Sequence, residues 1–491
     1  MVTTVLSVDI GTSSSKGVLV ALDGTVLATA TREHTVSRPR PGHVEMNAES
    51  WWTEFVGLSR ELLEASPSEV VAVGVSGMGP CVLLTDADGL PLRPAILYGV
   101  DTRSTAQVAR LTELYGDEAV RDRCGSSLSS QAAGAKVAWV ADEEPALFAR
   151  ARRLFMPSSW LVNRLTGAYV LDHHSASQCT PLYDVDDHAW YQPWVDDICP
   201  GLELPPLLWS GDIAGTVHQE AAELTGIAEG TPVIAGTIDA WAEALSVGAH
   251  EIGDLMLMYG TTMFLVHTVT EKVTSPSLWG TVGALPGTHS LAGGMATSGA
   301  ITAWWRDLFG DVDYAELTRE AEQSGSGANG LLMLPYFAGE RTPILDPQAR
   351  GTLVGLTLSH NRGDLYRATL EGIAFGVRHN IETMREAGGE VRRIVAVGGG
   401  TQGGLWTQIV TDVTGLDQVI HEQTIGASYG GALLAAQTQE EVSVSDWNPV
   451  REVVKPQQDL GAEYDELYCH YRQLYTATRS VNHALAARQA R

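Results

Sequence analysis

Asp9, Thr12, Ser13 and Lys16 fall within eight residues of one another, in the stretch VLSVDIGTSSSKGVLVALDG at residues 5–24. Two apolar runs flank them, and Asp23-Gly24 supplies a turn signal. The pattern predicts a β-hairpin with a Gly-rich tip. A carboxylate at the end of a buried strand is costly unless something pairs with it. A hydrated Mg2+ beside a polyphosphate would pair with Asp9 through water. The hydroxyls of Thr12 and Ser13, the backbone N–H groups and Lys16 can then hold phosphate oxygens. A surface hairpin with a locally satisfied Asp9 and a solvated Lys16 fits the same residues.

The pattern returns at residues 254–266, DLMLMYGTTMFLV, with Gly260, Thr261 and Thr262 at the tip. Two copies of strand–Gly–hydroxyl–hydroxyl–strand point to a duplicated fold, and two such hairpins facing each other would grip a polyphosphate from both sides. A second acid, Asp239, stands in TIDAWAEALSVG, directly after the apolar strand TPVIAG. The spacing predicts it at the second or third position of a helix. The helix dipole alone accounts for an acid there, yet α/β folds also place their chemistry just beyond a strand's C-terminal end. The run GGGTQGG at residues 398–404 follows a predicted strand and precedes a helix. Gly398, Gly400 and Gly403 match GxGxxG, and Glu422 lies about twenty residues on, which is the form of a dinucleotide fingerprint. Such a fingerprint usually opens a domain, whereas this one stands near the end of the chain. The other reading is a nucleotide shelf, whose glycines admit a base and an α-phosphate close to the backbone.

The elements needed to position these groups alternate between short apolar strands and amphipathic helices, an α/β pattern. A helix beginning near residue 48 carries Trp51, Trp52, Phe55 and Leu58 on one face, as core or as a sugar-stacking wall. A strand at residues 70–75 ends in SGMGPC, with Met78 and Gly79. Asp101 and Arg103 are two residues apart and would share a face on a strand, as a structural pair or as substrate contacts. His173 and His174 are adjacent, so they do not face one way, and no carboxylate–His spacing supports a metal site.

With 491 residues, 44% hydrophobic, the chain exceeds what one hydrophobic core usually takes. Two domains are expected, 1–249 and 250–491. The net charge of −27 disfavours nucleic acid as a partner. Five scattered cysteines without CxxC spacing suggest neither zinc nor a disulfide framework, which fits a reducing cytoplasm. No signal peptide or membrane span is expected: Asp9 interrupts the first apolar run, and residues 273–305 are rich in Gly, Ser, Thr and Pro.

Taken together, these motifs resemble the FGGY family of carbohydrate kinases, over nearly the whole chain. The most specific match is GTLVGLTLSHNRGDLYRATLEG at residues 351–372, including Gly355, Asp364, Leu365, Ala368 and Glu371; PYFAGERTPILDPQARG is close as well. Asp9-Ile-Gly-Thr-Ser resembles the first phosphate motif, Gly260-Thr-Thr the second and Gly398-Gly-Gly-Thr-Gln the adenosine motif. The resemblance implies two actin-like (ribonuclease H-like) α/β domains of duplicated origin, with an ATP/sugar cleft between them. It implies ATP-dependent phosphorylation of a sugar or polyol hydroxyl, in the cytoplasm, with Mg2+ as cofactor and a homodimer as the family-based expectation. By carry-over Asp239 is the general base and Asp9 organises Mg2+. Thr12, Ser13, Thr261 and Thr262, with Lys16, hold the β/γ-phosphates. Gly399, Gly400, Thr401 and Gln402 line the nucleotide site. Trp51, Met78, Gly79, Asp101 and Asp239 are the candidate substrate contacts. Length and the C-terminal signature lean toward the xylulokinase-like branch, hence toward a pentulose such as xylulose. The alternatives are another polyol or ketose (erythritol, ribulose or a glycerol-like acceptor) or a non-catalytic sensor. SGMGPC lacks the Met-His pair usual in that branch, and Ala240 stands where Asn or Gln often follows the catalytic Asp.

Overall fold

The computed structural model describes residues 2–489. They form two compact units. One runs to His250 and takes in Thr270–Ser290 and Ile425–Pro449; the other comprises Glu251–Val269, Leu291–Thr424 and the chain from Val450 onward.

The first unit is built on β1 (Thr3–Ile10), β2 (Ser14–Ala21), β3 (Val26–Glu33), β4 (Glu69–Gly77), β5 (Ile213–Thr216), β6 (Pro232–Ile234) and the short β7 (Thr237–Ile238). The sheet order is β5–β6–β4–β1–β2–β3, with β7 also paired to β4. β1 is antiparallel to β2 and parallel to β4; β4 is parallel to β6, and β6 antiparallel to β5. Nearly all of β1 is buried, Ser7 and Asp9 included, as expected of a strand covered on both faces. On one side lies α1 (Ala48–Ala65), capped by Asn47 and burying Trp51, Trp52, Phe55, Leu58 and Leu62. The small-residue helix Ala427–Ala436 lies against β1 and β4. There the lack of a Cβ is essential. One added to Gly431 would stand 2.5 Å from Ser7 Oγ, and one on Gly430 would stand 1.8 Å from the Ala242 carbonyl oxygen.

The second unit repeats the plan with β8 (Asp254–Tyr259), β9 (Met263–Val269), β10 (His289–Met295), β11 (Arg393–Val397), β12 (Gln418–His421) and β13 (Val450–Val454). Its strands follow the order β10–β9–β8–β11–β12–β13. β8 is antiparallel to β9 and parallel to β11; β11 is parallel to β12, and β12 antiparallel to β13. From β9 to β13 this is the sequence of directions found from β2 to β5 in the first sheet. The two Gly–hydroxyl hairpins, β1/β2 and β8/β9, therefore hold the same place in two copies of one α/β fold. The helix Arg362–Glu386, which opens with a full Asn361/Asp364 capping box, packs on the helix Leu405–Thr414, and the terminal helix Gly461–Gln489 packs on both. Among the described residues no helix is long and apolar enough to cross a membrane.

Candidate active site

Register gathers the chemistry of the first unit into one row. Asp9 lies opposite Lys16 on β2 and opposite Ser76 on β4, and Ser76 lies opposite Thr237 on β7. Residues directly opposite in a ladder point to the same face, so four strands present Lys16, Asp9, Ser76 and Thr237 side by side. Two residues beyond Thr237, Asp239 opens the helix Asp239–Ser246. The sequence expectation of a second or third helical position is off by one or two residues, because Thr237 and Ile238 are held as strand by β4.

Asp9 is 9% exposed and accepts a hydrogen bond from Ser76 Oγ at 2.8 Å. Asp239 and Glu243 are half-buried. They stand four residues apart, one above the other on the same helix face. Burial is the main cause that raises the Asp9 carboxyl above the usual carboxylate range. The charges of Asp239 and Glu243 add to it, while Ser76 and Lys16 oppose it. Burial also raises Asp239, against the Ala240 N–H that its Oδ1 accepts at 2.8 Å. Glu243 is pushed up to about 7 by burial and by Asp239. Three acids and one exposed lysine thus share the end of the sheet, a surplus of negative charge that calls for a cation. Among the described residues no three His, Cys, Asp or Glu side chains converge closely enough to hold a metal directly.

The hairpin tip is fixed from behind. His34 Nε2 meets the Gly11 carbonyl at 3.0 Å and Nδ1 meets Glu54 Oε2 at 3.0 Å, while the His34 N–H donates to the Ser13 carbonyl. Thr12 Oγ1 bonds Tyr98 Oη at 3.0 Å and lies 3.8 Å from Met78 Sδ. Ser13 and Lys16 are exposed at the tip.

The candidate substrate contacts divide. Gly79 packs against the residue before Asp239: a Cβ there would lie 2.6 Å from Ile238 Cγ1. Met78 is 1% exposed, touches Thr12, and forms the floor under the tip. Trp51 is wholly buried, edge-on to Trp160 at 6.0 Å, and offers no face to a sugar. Asp101 is also wholly buried; it accepts the Val44 N–H at 2.6 Å and pairs with Arg103 at 2.8 Å. Asp101 and Arg103 lie in a turn rather than on a strand. Their contact is a fork-like ion pair that removes both from solvent.

In the second unit, Gly260 and Thr261 border a cavity of about 770 Å3 whose other walls include Gly299, Tyr314, Thr318, Gly399, Gly400, Gln402 and Trp406. Gly398 takes φ +93° against the Tyr259 backbone, and a Cβ on Gly400 would stand 2.9 Å from both Trp406 and Tyr259. Glycine here lets the backbone form the cavity wall. Thr401 does not line it: the residue is 4% exposed, with Oγ1 donating to the Gly398 carbonyl. Thr262 is set back as well, its carbonyl accepting the Gly260 N–H at 3.2 Å. A 3-10 turn, Gly399–Gly403, separates β11 from the helix Leu405–Thr414, so the GxGxxG glycines do not open a helix as a dinucleotide fingerprint does. Register also separates the two hairpins chemically. Met258 opposite Phe264 stands where the first copy has Asp9 opposite Lys16. The second copy keeps the backbone cradle and lacks the charges.

Ser76, Glu243, Tyr98 and His34 escaped the sequence reading. The i, i+4 spacing from Asp239 carried a signal for Glu243. The other three depend on strand register or on contacts between distant segments.

Two family models match the chain. The FGGY family of carbohydrate kinases, N-terminal domain, matches residues 4–246, and the C-terminal domain of the same family matches residues 255–438. A xylulose kinase of Bacillus subtilis is 30% identical over 98% of each chain. A glycerol kinase of Nocardia farcinica is 32% identical over 87% of this chain and 89% of its own. The crystal structure of a xylulose kinase from Rhodospirillum rubrum superposes with a TM-score of 0.92 at 31% identity, covering 98% of this chain and 100% of that one. Percent identity alone does not rank one acceptor above the other.

Proposed function

Because the chain belongs to the FGGY family of carbohydrate kinases, we propose that it passes the γ-phosphate of ATP to a hydroxyl of a pentulose such as xylulose, with Asp239 as general base. The row that runs from Lys16 through Asp9 and Ser76 to Thr237, ending beside Asp239, carries this reading. The coverage shared with xylulose kinases favours a pentulose.

Phosphoryl transfer asks for in-line positioning and charge neutralisation more than for covalent chemistry. An alcohol loses its proton as the new P–O bond forms, and a half-buried carboxylate with a raised pKa is suited to accept it. Asp239 takes that proton. Lys16 and the backbone N–H groups of the first tip hold phosphate oxygens. Thr12 shapes the tip through Tyr98, with its hydroxyl turned inward, and Ser13 presents its hydroxyl to the phosphates. In the second unit the 260–262 tip, with Thr261 and Thr262, receives the β/γ-phosphates, and the shelf at Gly399, Gly400 and Gln402 receives adenosine. The acceptor thus belongs to residues 1–249 and the adenosine to residues 250–491.

The surplus of acid at Asp9, Asp239 and Glu243 fits a hydrated Mg2+ held by Asp9 through water. Such an ion neutralises phosphate charge when bound. We further infer a cytoplasmic homodimer from the family.

An ADP-coupled assay on a panel of xylulose, ribulose, erythritol and glycerol tests the reading. Xylulose is expected to give the highest kcat/KM. Tight ligand binding with no ADP release from any acceptor would reject the kinase reading, and a preference for glycerol would reject the pentulose.

A further inference from the structure

The second hairpin tip is seated by a segment that follows β10. The N–H groups of Ser298 and Ala300 donate to the Thr261 carbonyl at 3.0 and 3.1 Å, and that of Gly299 to the Gly260 carbonyl at 3.0 Å. Ser298 Oγ adds a bond to the Gly260 carbonyl at 2.8 Å. Gly299 approaches so closely that a Cβ there would stand 2.5 Å from the Gly260 oxygen. Where residues 296–300 sit therefore sets where the tip sits.

That segment is itself held by residues 340–342. Glu340 Oε1 accepts the Ala296 N–H at 2.7 Å and the Arg341 N–H at 2.7 Å. Thr342 Oγ1 accepts the Gly294 N–H at 2.7 Å and is tied to Asn380 Oδ1 at 2.6 Å. Glu340 is 6% exposed, and its Oε2 is buried without a hydrogen-bond partner. A buried carboxyl with one idle oxygen is a costly way to satisfy two N–H groups. Its length, however, reaches from the 340 turn to the backbone just ahead of the tip-seating residues.

We propose that Glu340 is a positioning residue for the phosphate-holding tip at residues 260–262, acting through the Ala296 N–H and the seat at Ser298 and Gly299. This rests on the reading of that tip as a β/γ-phosphate holder. Burial pushes the Glu340 carboxyl up to about 8, so a glutamine reproduces the neutral acid in shape and keeps the accepting oxygen. A methionine fills the volume and accepts nothing comparable.

Affinities for a non-hydrolysable ATP analogue and for adenosine, measured by calorimetry, test the proposal. Glu340→Met is expected to weaken the triphosphate about tenfold and leave adenosine within twofold, the size of effect of one or two charge-assisted contacts. Glu340→Gln is expected to restore the triphosphate. A Thr261→Ala/Thr262→Ala double variant reports on the tip itself. If it loses triphosphate affinity while Glu340→Met does not, the proposal fails and the reading of the tip stands. If it loses none, both fail. Equal weakening of adenosine and triphosphate by Glu340→Met marks a merely structural role and overturns the proposal. Should Glu340→Met not fold, Thr342→Val removes the neighbouring tie to Gly294, and the same selective loss is required of it.

Discussion

Replacing Asp239 by asparagine separates chemistry from folding at this site. The side chain opens a helix, and its Oδ1 accepts the Ala240 N–H at 2.8 Å. Asparagine keeps an oxygen there, and Asn and Asp rank alike at helix N-termini. Losing the charge forfeits about 0.3–1 kcal/mol of dipole interaction. Removing one of three neighbouring negative charges works the other way, since Asp239 raises both Asp9 and Glu243. The two effects offset each other, so Tm is expected to move by no more than about 4 °C. Turnover is expected to fall about 10²- to 10⁴-fold, the usual worth of a positioned general base, or about 3–5 kcal/mol of barrier. ATP affinity, measured by calorimetry, is expected to be retained. In the wild type, kcat is expected to rise with pH along an acid limb whose midpoint lies above the ordinary aspartate range, because burial raises Asp239, and Asp239→Asn is expected to abolish that limb. A folded, ATP-binding variant whose kcat stays within about tenfold of wild type would falsify the assignment of Asp239 as base.

Three further perturbations probe the remaining walls. Glu243 has a folded-state pKa raised from 4.5 to about 7, so its contribution to stability is most favourable below pH 4.5 and is lost as pH rises toward 7. Glu243→Gln should therefore raise Tm at pH 8 and leave it unchanged at pH 4, and an equal shift at both would refute the electrostatic account. Gly79→Ala places a Cβ 2.6 Å from Ile238. Overpacking of this kind costs about 1–3 kcal/mol, and here it should cut sugar kcat/KM at least about tenfold while ATP affinity holds; equal loss of both would remove Gly79 from the acceptor wall. Gly400→Ala pushes on Trp406 and Tyr259 at 2.9 Å and should raise KM for ATP without changing KM for the sugar. An unchanged KM for ATP would mean that the Gly399–Gly403 shelf does not seat the nucleotide.

Local sequence was enough to mark both hairpins, Asp239 and the run of glycines at 398–404, because each is a short pattern set by local conformational preference. Strand periodicity, Asp-Gly turns and runs of glycine act over a few residues. The repeat of strand–Gly–hydroxyl–hydroxyl–strand likewise announced a duplication, and five consecutive strands of each sheet then follow the same directions. What only the tertiary structure decided was which polar side chain faces which. Asp9 meets Ser76 across 67 residues, His34 straps Gly11 across 23, and Glu340 reaches Ala296 across 44. Nothing local encodes such pairings, since a slip of one residue in strand register turns every side chain to the opposite face. For the same reason Trp51 and Asp101 were legible as chemical types and not as places. An aromatic pair and an acid–Arg pair look the same in sequence at a sugar wall and in a core, and here packing put both inside.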